Sequence, residues 1–333
     1  MILTITPNPT IDRVVFVRNF RLGAIVRGER EVTTPSGKGV DGSLVIHELG
    51  GETVAAGLSA GHAGRLFTRL LDEMGVPHDF VPACGETRTA LVLVDLAVGE
   101  QSTILAPTLT ATPEHLSRLL ALLDRYAGRA WGVILGGSLP PGFPPDGYVH
   151  LLRHARQRGM VTLLDSSGES LRRGVAGRPH VLKINLYELG MLDPQMAGEM
   201  GDADDVAALA GRLAGRLGEW ASDALIVTLG ERGALALTHG GWYHAQPPPV
   251  PVVNTAGAGD ALNGGVMLAR SRGADWREAL ALGTAASASV VMNDGTAICR
   301  REQVETLLPQ VRCVRVTALG QSHLEGEATG DLV

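Results

Sequence analysis

The feature that most constrains the fold is a recurrence of short apolar runs separated by stretches of helical periodicity. The runs are "ILTIT", "TALVLVDL", "GVILGG", "VTLLD", "HVLKIN", "ALIVTLG" and "GALALT". Helical patterns lie over residues 40–49, 65–74, 113–126, 145–158, 204–220, 261–272 and 277–292. Strands that are apolar on both faces, with helices between them, read as a buried parallel sheet with crossover helices. Two regions depart from this rhythm. "RVVFVRNF" to "IVRGEREVTT" and "TRTALVLVDLAVGEQSTIL" alternate apolar and polar residues, with short turns and no helix. They read as antiparallel strands with one solvated face, a small sheet placed to act as a lid.

Composition removes several classes of function. The chain has 333 residues, 45% of them hydrophobic, enough for a large core. Its net charge is −6 and only 4% of residues are aromatic. With no basic block and few stacking platforms, nucleic acid is excluded as a partner. No apolar run approaches the ~20 residues needed to span a bilayer, so no membrane partner is expected. The start of the chain lacks the basic and apolar regions of a signal peptide. Cys84, Cys299 and Cys313 are scattered and odd in number, which fits a reducing cytoplasm. Only two of the 29 basic residues are lysines, Lys38 in "SGKG" and Lys183 in "LKINLYEL". Where lysine is this scarce, its compact charge is a candidate for a task. The polar tail over residues 320–333 is expected to be disordered.

The sharpest local signal is "NTAGAGDALNGG", which sets Asp260 directly after Gly257, Ala258 and Gly259 and before a helical pattern. Bare backbone N–H groups at a helix start suit a phosphate, and a carboxylate beside them could take a proton from an attacking group. The same residues also fit a glycine-rich packing turn with a capping Asp. They do not form a dinucleotide fingerprint, because Leu262 occupies the third glycine's place, and Lys38 followed by Gly39 does not form a P-loop. "SGKGVD" puts Lys38 and Asp41 near a second helix start, as ligand contacts or as a turn with an Asp cap. "LKINLYEL" places Lys183, Asn185 and Glu188 where open α/β sheets meet ligands. Glu188 could hold water around Mg²⁺ or be a solvent-facing residue after an Asn cap. Ser138 lies on a proline-stiffened turn, and Pro140 rules out a nucleophile elbow. Asp12 alone reads as a turn residue. The histidines lack metal-ligand spacing.

In order, "TPNPTID", "SGKGVD", "TRT", "GSLPPG", "LDSSGE", "LKINLYEL", "VTLGERGAL" and "NTAGAGD" resemble the PfkB branch of the ribokinase-like sugar kinases. The likeness runs to about Leu308 and is greatest to the 1-phosphofructokinase and tagatose-6-phosphate kinase groups. It implies a ribokinase-like three-layer α/β/α domain over residues 1–319, with a mainly parallel sheet. Lid strands would come from about 12–34 and 87–106, and a homodimer would form through the lid. The implied reaction is ATP-dependent phosphorylation of a ketohexose phosphate to a bisphosphate. Fructose 1-phosphate, tagatose 6-phosphate and fructose 6-phosphate are the candidates.

By the same resemblance Asp260 is the general base, and the backbone of Gly257, Ala258 and Gly259 is an anion hole. ATP would meet Lys183, Asn185, Thr228, Gly230, Gly233, Asn293 and Gly295. Glu188 would hold Mg²⁺ through water. A K⁺ ligand would fall at Asn254, where Asn instead of Asp removes a charge. Asp12, Gly37, Lys38 and Asp41 match sugar contacts, and Arg27, Arg88 and Ser138 match residues holding the substrate's own phosphate. The family's usual Gly-Gly-Lys-Gly-x-Asn departs here at both ends, with Ser36 first and Asp41 last. Asp exchanges a donor-and-acceptor for an acceptor and adds charge. Two rival readings remain. One is a kinase of an unphosphorylated sugar or nucleoside, the other a catalytically silent sugar-phosphate-binding protein; intact Asp260, Gly257 and Gly259 argue against the second.

Overall fold

The first apolar run forms strand β1 (Ile2–Thr6), buried along its whole length in the computed structural model. The structure describes residues 1–197 and 206–317. Along β1, Leu3 and Ile5 face one core and Ile2 the opposite one. A strand that buries both faces needs a neighbour on each edge and a layer on each side. The first half of the chain continues with β2 (Thr10–Val17), β3 (Arg30–Ser36), β4 (Thr53–Ser59), β5 (His78–Pro82), β6 (Arg88–Asp95) and β7 (Glu100–Leu105). The second half adds β8 (Gly132–Gly136), β9 (Val161–Asp165), β10 (Val181–Asn185) and β11 (Ala224–Thr228). It closes with β12 (Ala234–Thr238), β13 (Gly241–Gln246) and β14 (Arg312–Val316).

The main sheet runs β14-β13-β12-β11-β10-β9-β8-β1-β4-β5. From β11 to β5 every pairing is parallel. Helices Pro113–Tyr126 and Gly147–Gln157 cover the Leu3 face; Lys38–Glu48, Ala258–Ser271 and Trp276–Val291 cover the other. The three-layer α/β/α fold with a mainly parallel sheet is therefore as expected. Beyond β11 the sheet turns antiparallel. "GALALT" thus joins the sheet in the opposite sense to the five other runs in it, because the five residues between β11 and β12 leave no room for a crossover helix, while "TALVLVDL" is β6 of the small sheet and not part of the main one. β4, β5, β13 and β14 carry small or polar residues and were not foreseen as strands.

The small sheet has the order β3-β2-β6-β7. Val14, Phe16, Val92 and Val94 share its buried cluster, while β7 is exposed throughout. Its two outer pairings are antiparallel, but the central β2–β6 pair is parallel, which corrects the all-antiparallel expectation. The reason is topological: between β3 and β6 the chain returns to the main sheet to form β4 and β5, a crossover that brings it back in the same direction. The helical pattern at 204–220 starts outside the described residues and holds a helix over Val206–Leu213, and the 320–333 tail also lies outside them. No helix among the described residues is long and apolar enough to cross a membrane.

Helix Ala258–Ser271 begins three residues earlier than its sequence pattern predicts, which puts Asp260 in its first turn. It lies between two other helices at glycine contacts. A Cβ on Gly264 would sit 2.8 Å from the Gly42 carbonyl oxygen, and one on Gly265 would sit 2.7 Å from the Gly283 Cα. Backbone on both sides cannot yield, so Gly264→Val must push the Lys38 and Asp260 helices apart. Overpacking of this kind costs about 1–3 kcal/mol. The expected result is a lower Tm in thermal denaturation together with a loss of kcat, since both helices carry residues of the site described next.

Candidate active site

In an open α/β sheet, ligands meet the carboxyl ends of the strands where the strand order reverses. Here that point is β1, with β4 on one side and β8 on the other. The segments leaving β1, β8, β9, β10 and β11 carry Asn8, Ser138, Asp165, Asn185 and Thr228 in turn. Most sequence-derived site residues converge on this edge.

At its centre is a charge cluster around Asp165, which is completely buried at the end of β9. One carboxylate oxygen accepts a hydrogen bond from Lys38 Nζ at 2.5 Å, and the other accepts from Lys183 Nζ at 2.7 Å and Asn263 Nδ2 at 2.7 Å. Burial pushes the Asp165 carboxyl up, but the two ammonium groups outweigh it and hold the group at about 2. Lys38 also donates to Glu188 Oε1 at 2.9 Å. Glu188 in turn caps its helix with Asn185: each side chain accepts from the other residue's backbone N–H. The Asn cap foreseen for "LKINLYEL" is thus present, but Glu188 is buried, not solvent-facing. Asp165 was not singled out from sequence; its signal was an acidic residue closing a fully apolar run.

Gly257 is the N-cap of the Asp260 helix, with φ of 83°, and a Cβ there would lie 2.6 Å from the Ala297 nitrogen. The turn therefore admits only glycine. A Cβ on Gly259 would lie 2.8 Å from Lys183 Nζ, so the bare backbone lets the ammonium approach the helix start from below. The N–H groups of Gly257 and Gly259 have no partner among the described residues. Unpartnered N–H groups, a helix N-terminus and a nearby cation make an anion cradle. Asn254 shapes its approach: Oδ1 accepts from the Ala256 N–H at 3.0 Å and Nδ2 donates to the Asp294 carbonyl at 3.2 Å.

Asp260 stands beside the cradle. Burial pushes its carboxyl up to about 7; Asp165 adds to the rise, while Lys183 and Lys38 oppose it. Two carboxyls of one cluster, at about 2 and about 7, are separated by environment alone. One is a permanent anion that holds the lysines, and the other is poised to exchange a proton near neutrality.

On the other side of Asp260 lie the expected sugar residues. Asp12 and Asp41 are buried, and each has one carboxyl oxygen with no partner. Gly37 caps the Lys38–Glu48 helix. Ser138 and Arg88 are brought together by Asn8, which sequence reading missed. Asn8 Nδ2 donates to Ser138 Oγ at 3.0 Å, and its carbonyl accepts from Arg88 at 3.4 Å. Arg88 Nε is buried without a partner. Arg27 is not brought in: it lies exposed in the loop between β2 and β3.

A cavity of about 1080 Å³ opens against the cradle. Asn185, Thr228, Gly230 and Gly233, four of the residues matched to ATP contacts, line it together with Ala258 and Gly259 of the cradle. Thr284 and Ser287 also line it and were missed, since small polar residues in an alanine-rich helix give little signal. Thr284 Oγ1 is buried and unpartnered. Asn293 and Gly295 are placed elsewhere. The Asn293 amide is consumed by Ser289, Gln303 and Arg300, and Gly295 packs on Val32 and Thr34 of β3.

The pfkB family carbohydrate kinase profile matches residues 7–303. The chain is 29% identical over 311 residues to the 1-phosphofructokinase of Vibrio cholerae, covering 93% of this chain and 96% of that protein. It is 31% identical over 273 residues to the tagatose-6-phosphate kinase of Staphylococcus epidermidis, covering 80% and 84%. The crystal structure of phosphofructokinase-2 from Escherichia coli in complex with substrates and products superposes with a TM-score of 0.84, at 27% identity over 93% of this chain and 98% of that one. The protein thus belongs to the pfkB family of carbohydrate kinases. It is a phosphotransferase whose acceptor is an alcohol group.

If Asp260 is the proton acceptor, kcat must rise with pH as that carboxyl ionises, with its midpoint near 7. Asp260→Asn removes the base and is expected to lower kcat by ~10²–10⁴. Its stability should move the other way. The native carboxyl keeps its proton up to about 7, above the ordinary 3.8, so wild-type stability falls as pH rises through that window. The neutral amide escapes this loss. Thermal melts at pH 8 should show D260N at least as stable as the wild type; a clear loss of Tm would contradict the assigned environment.

Proposed function

We propose that the protein transfers the terminal phosphoryl group of ATP to a hydroxyl of a ketohexose phosphate. The candidates are fructose 1-phosphate, tagatose 6-phosphate and fructose 6-phosphate. The observation that carries this reading is the position of Asp260 between an anion cradle at the edge of the large cavity and the buried Asp41 and Asp12, with half-buried Arg88 acting on Asp12. Asp260 takes the proton of the attacking hydroxyl. The hydroxyl oxygen forms its bond to the terminal phosphorus as the bond to the leaving diphosphate breaks. The Gly257–Gly259 backbone and the Lys183 ammonium below it meet the charge of the transferring group, so catalysis rests on positioning and electrostatics.

The residues fit a nucleotide and its metal. Gly257 and Gly259 admit no side chain, Thr284 lines the cavity, and the volume suits a ligand of that size. Mg²⁺ bound with the phosphates would neutralise their charge. It commonly uses one or two carboxylates and water; Glu188, three residues after the cavity-lining Asn185, is the carboxylate proposed for it, and would have to share oxygens held by Lys38 and the Asn185 N–H. No group of three or more acidic, His or Cys side chains forms a separate metal cage among the described residues. Asn254 offers a potassium ion little, since both ends of its amide are engaged.

A phosphorylated sugar is favoured over a free one because Arg88 keeps a guanidinium N–H without a partner beside Asn8, which also holds Ser138. A charge-assisted hydrogen bond to phosphate is worth about 1.5–3 kcal/mol. Arg88→Ala should therefore raise KM for the preferred phosphosugar roughly tenfold or more, leaving KM for ATP within about twofold. Steady-state kinetics on a panel of phosphosugars, free sugars and adenosine tests this. Equal turnover of fructose or ribose and every phosphosugar would replace the reading with a kinase of unphosphorylated substrates. No turnover of any would leave a silent binding protein.

A second copy of the chain is proposed to cover the small sheet. Ile104 and Leu105 on β7 are 60% and 58% exposed, and Leu22 and Ile25 of the neighbouring loop are 92% and 99% exposed. An apolar edge of this kind calls for a partner. Ile104→Glu should shift sedimentation from dimer to monomer; an unchanged dimer would move the interface elsewhere.

A further inference from the structure

The departure at Asp41 has a physical resolution in its surroundings. Its side chain is enclosed in the first turn of the Lys38–Glu48 helix, and the residue is 2% exposed. Ser36 Oγ donates to one carboxyl oxygen at 3.1 Å, and the other oxygen has no partner. The helix start is crowded by acids: Asp260 faces Asp41 from the neighbouring helix, and Asp12 from β2. Strands β1, β4 and β8 also pack on this helix and contain no charged residue at all. On β3, Arg30 and Glu31 are committed to Asp294 and Arg13. Lys38 is held by Asp165 and Glu188, and Arg88 acts on Asp12. Among the described residues no cation is left for Asp41. A buried carboxylate with no counter-charge and two acidic neighbours is costly, and such a group keeps its proton instead.

We propose that Asp41 is a neutral carboxylic acid in the working enzyme and a hydrogen-bond donor to an oxygen of the sugar, while Asp260 is the ionised partner. This rests on the phosphosugar kinase reading for the identity of the acceptor. Protonated Asp has the shape of Asn and, like it, offers both a donor and an acceptor. The position therefore keeps the recognition chemistry of an amide and makes it sensitive to pH. Burial, then Asp260 and Asp12, raise the Asp41 carboxyl well above its ordinary range, against hydrogen bonds from Ser36 and the Gly37 backbone. When Asp260 gives up its proton, its new charge tightens Asp41's hold on its own. The two carboxyls thus divide into a base and a donor without exchanging roles. An ionised Asp41 would also add a negative charge beside a substrate that already carries a phosphate.

The test has one arm without substrate and one with it. In the free protein, the infrared spectrum of wild type minus D41N at pH 8 should contain the carbonyl band of a protonated carboxylic acid. A carboxylate band alone overturns the proposal. With substrate, wild-type KM for the preferred phosphosugar should rise about tenfold as Asp41 ionises on the alkaline side. kcat should hold the plateau set by Asp260. In D41N, KM should stay flat over the same range. A D41N KM that climbs with pH as the wild type's does would also overturn the proposal, whatever its effect on Tm. Should D41N fail to fold, pH titration of the wild-type band decides the same question. Should no phosphosugar be turned over, the functional reading falls, while the infrared arm still decides the protonation of Asp41.

Discussion

The site depends on one buried anion holding two cations, Lys183 buried and Lys38 partly exposed. Asp165 is enclosed completely, and without Lys38 and Lys183 its charge could not persist there. Equally, Lys183 is 4% exposed, and its ammonium is paired with Asp165 at 2.7 Å. Removing one partner of such a group typically costs about 3–5 kcal/mol, because the remaining charge is stranded. The group also sets positions. It joins the ends of β9 and β10 to the first turn of the Lys38–Glu48 helix, and through Asn263 it reaches the Asp260 helix. Four separate segments are thereby brought to one point, and the charges gathered there adjust the proton affinity that burial gives Asp260.

Much of this was legible in the sequence, for reasons that can be named. "ILTIT" and "VTLLD" are apolar at successive positions, and only a strand covered on both faces explains that pattern. The two glycine turns at Gly37 and Gly257 were legible because bare backbone beside a charged residue has few uses. What stayed hidden depends on distant parts of the chain. Asp165 was one acid at the end of one strand until Lys38, 127 residues away, was seen to reach it. Asn8 lies between prolines in "TPNPT", and only its bonds to Ser138 and Arg88 give it a role. The parallel β2–β6 pair depends on the path taken through β4 and β5, which alternation within either strand cannot report. Asn293 and Gly295 show the converse: a family motif falls on them, yet their atoms are consumed in local packing.

The small sheet divides its faces by chemistry. Val14, Phe16, Val92 and Val94 give it a core of its own, and Thr296 of the main domain donates to Asp12 on β2 at 2.9 Å. Asp12 thus belongs to the small sheet by chain position and to the main domain by contact. A movement of the sheet would carry Asp12 with it. Arg27 lies on the exposed loop between β2 and β3, outside this set of contacts.

The scarcity of lysine has a consequence for how such a protein can be marked. On most proteins, acyl groups from reactive metabolites land on many surface lysines with little effect. Here the only side-chain amines are Lys38 and Lys183, both ion-paired with Asp165. There is no harmless lysine for such chemistry to reach. An acyl group arriving on either one would cancel a charge that Asp165 needs, so modification of a lysine and loss of the site would be a single event.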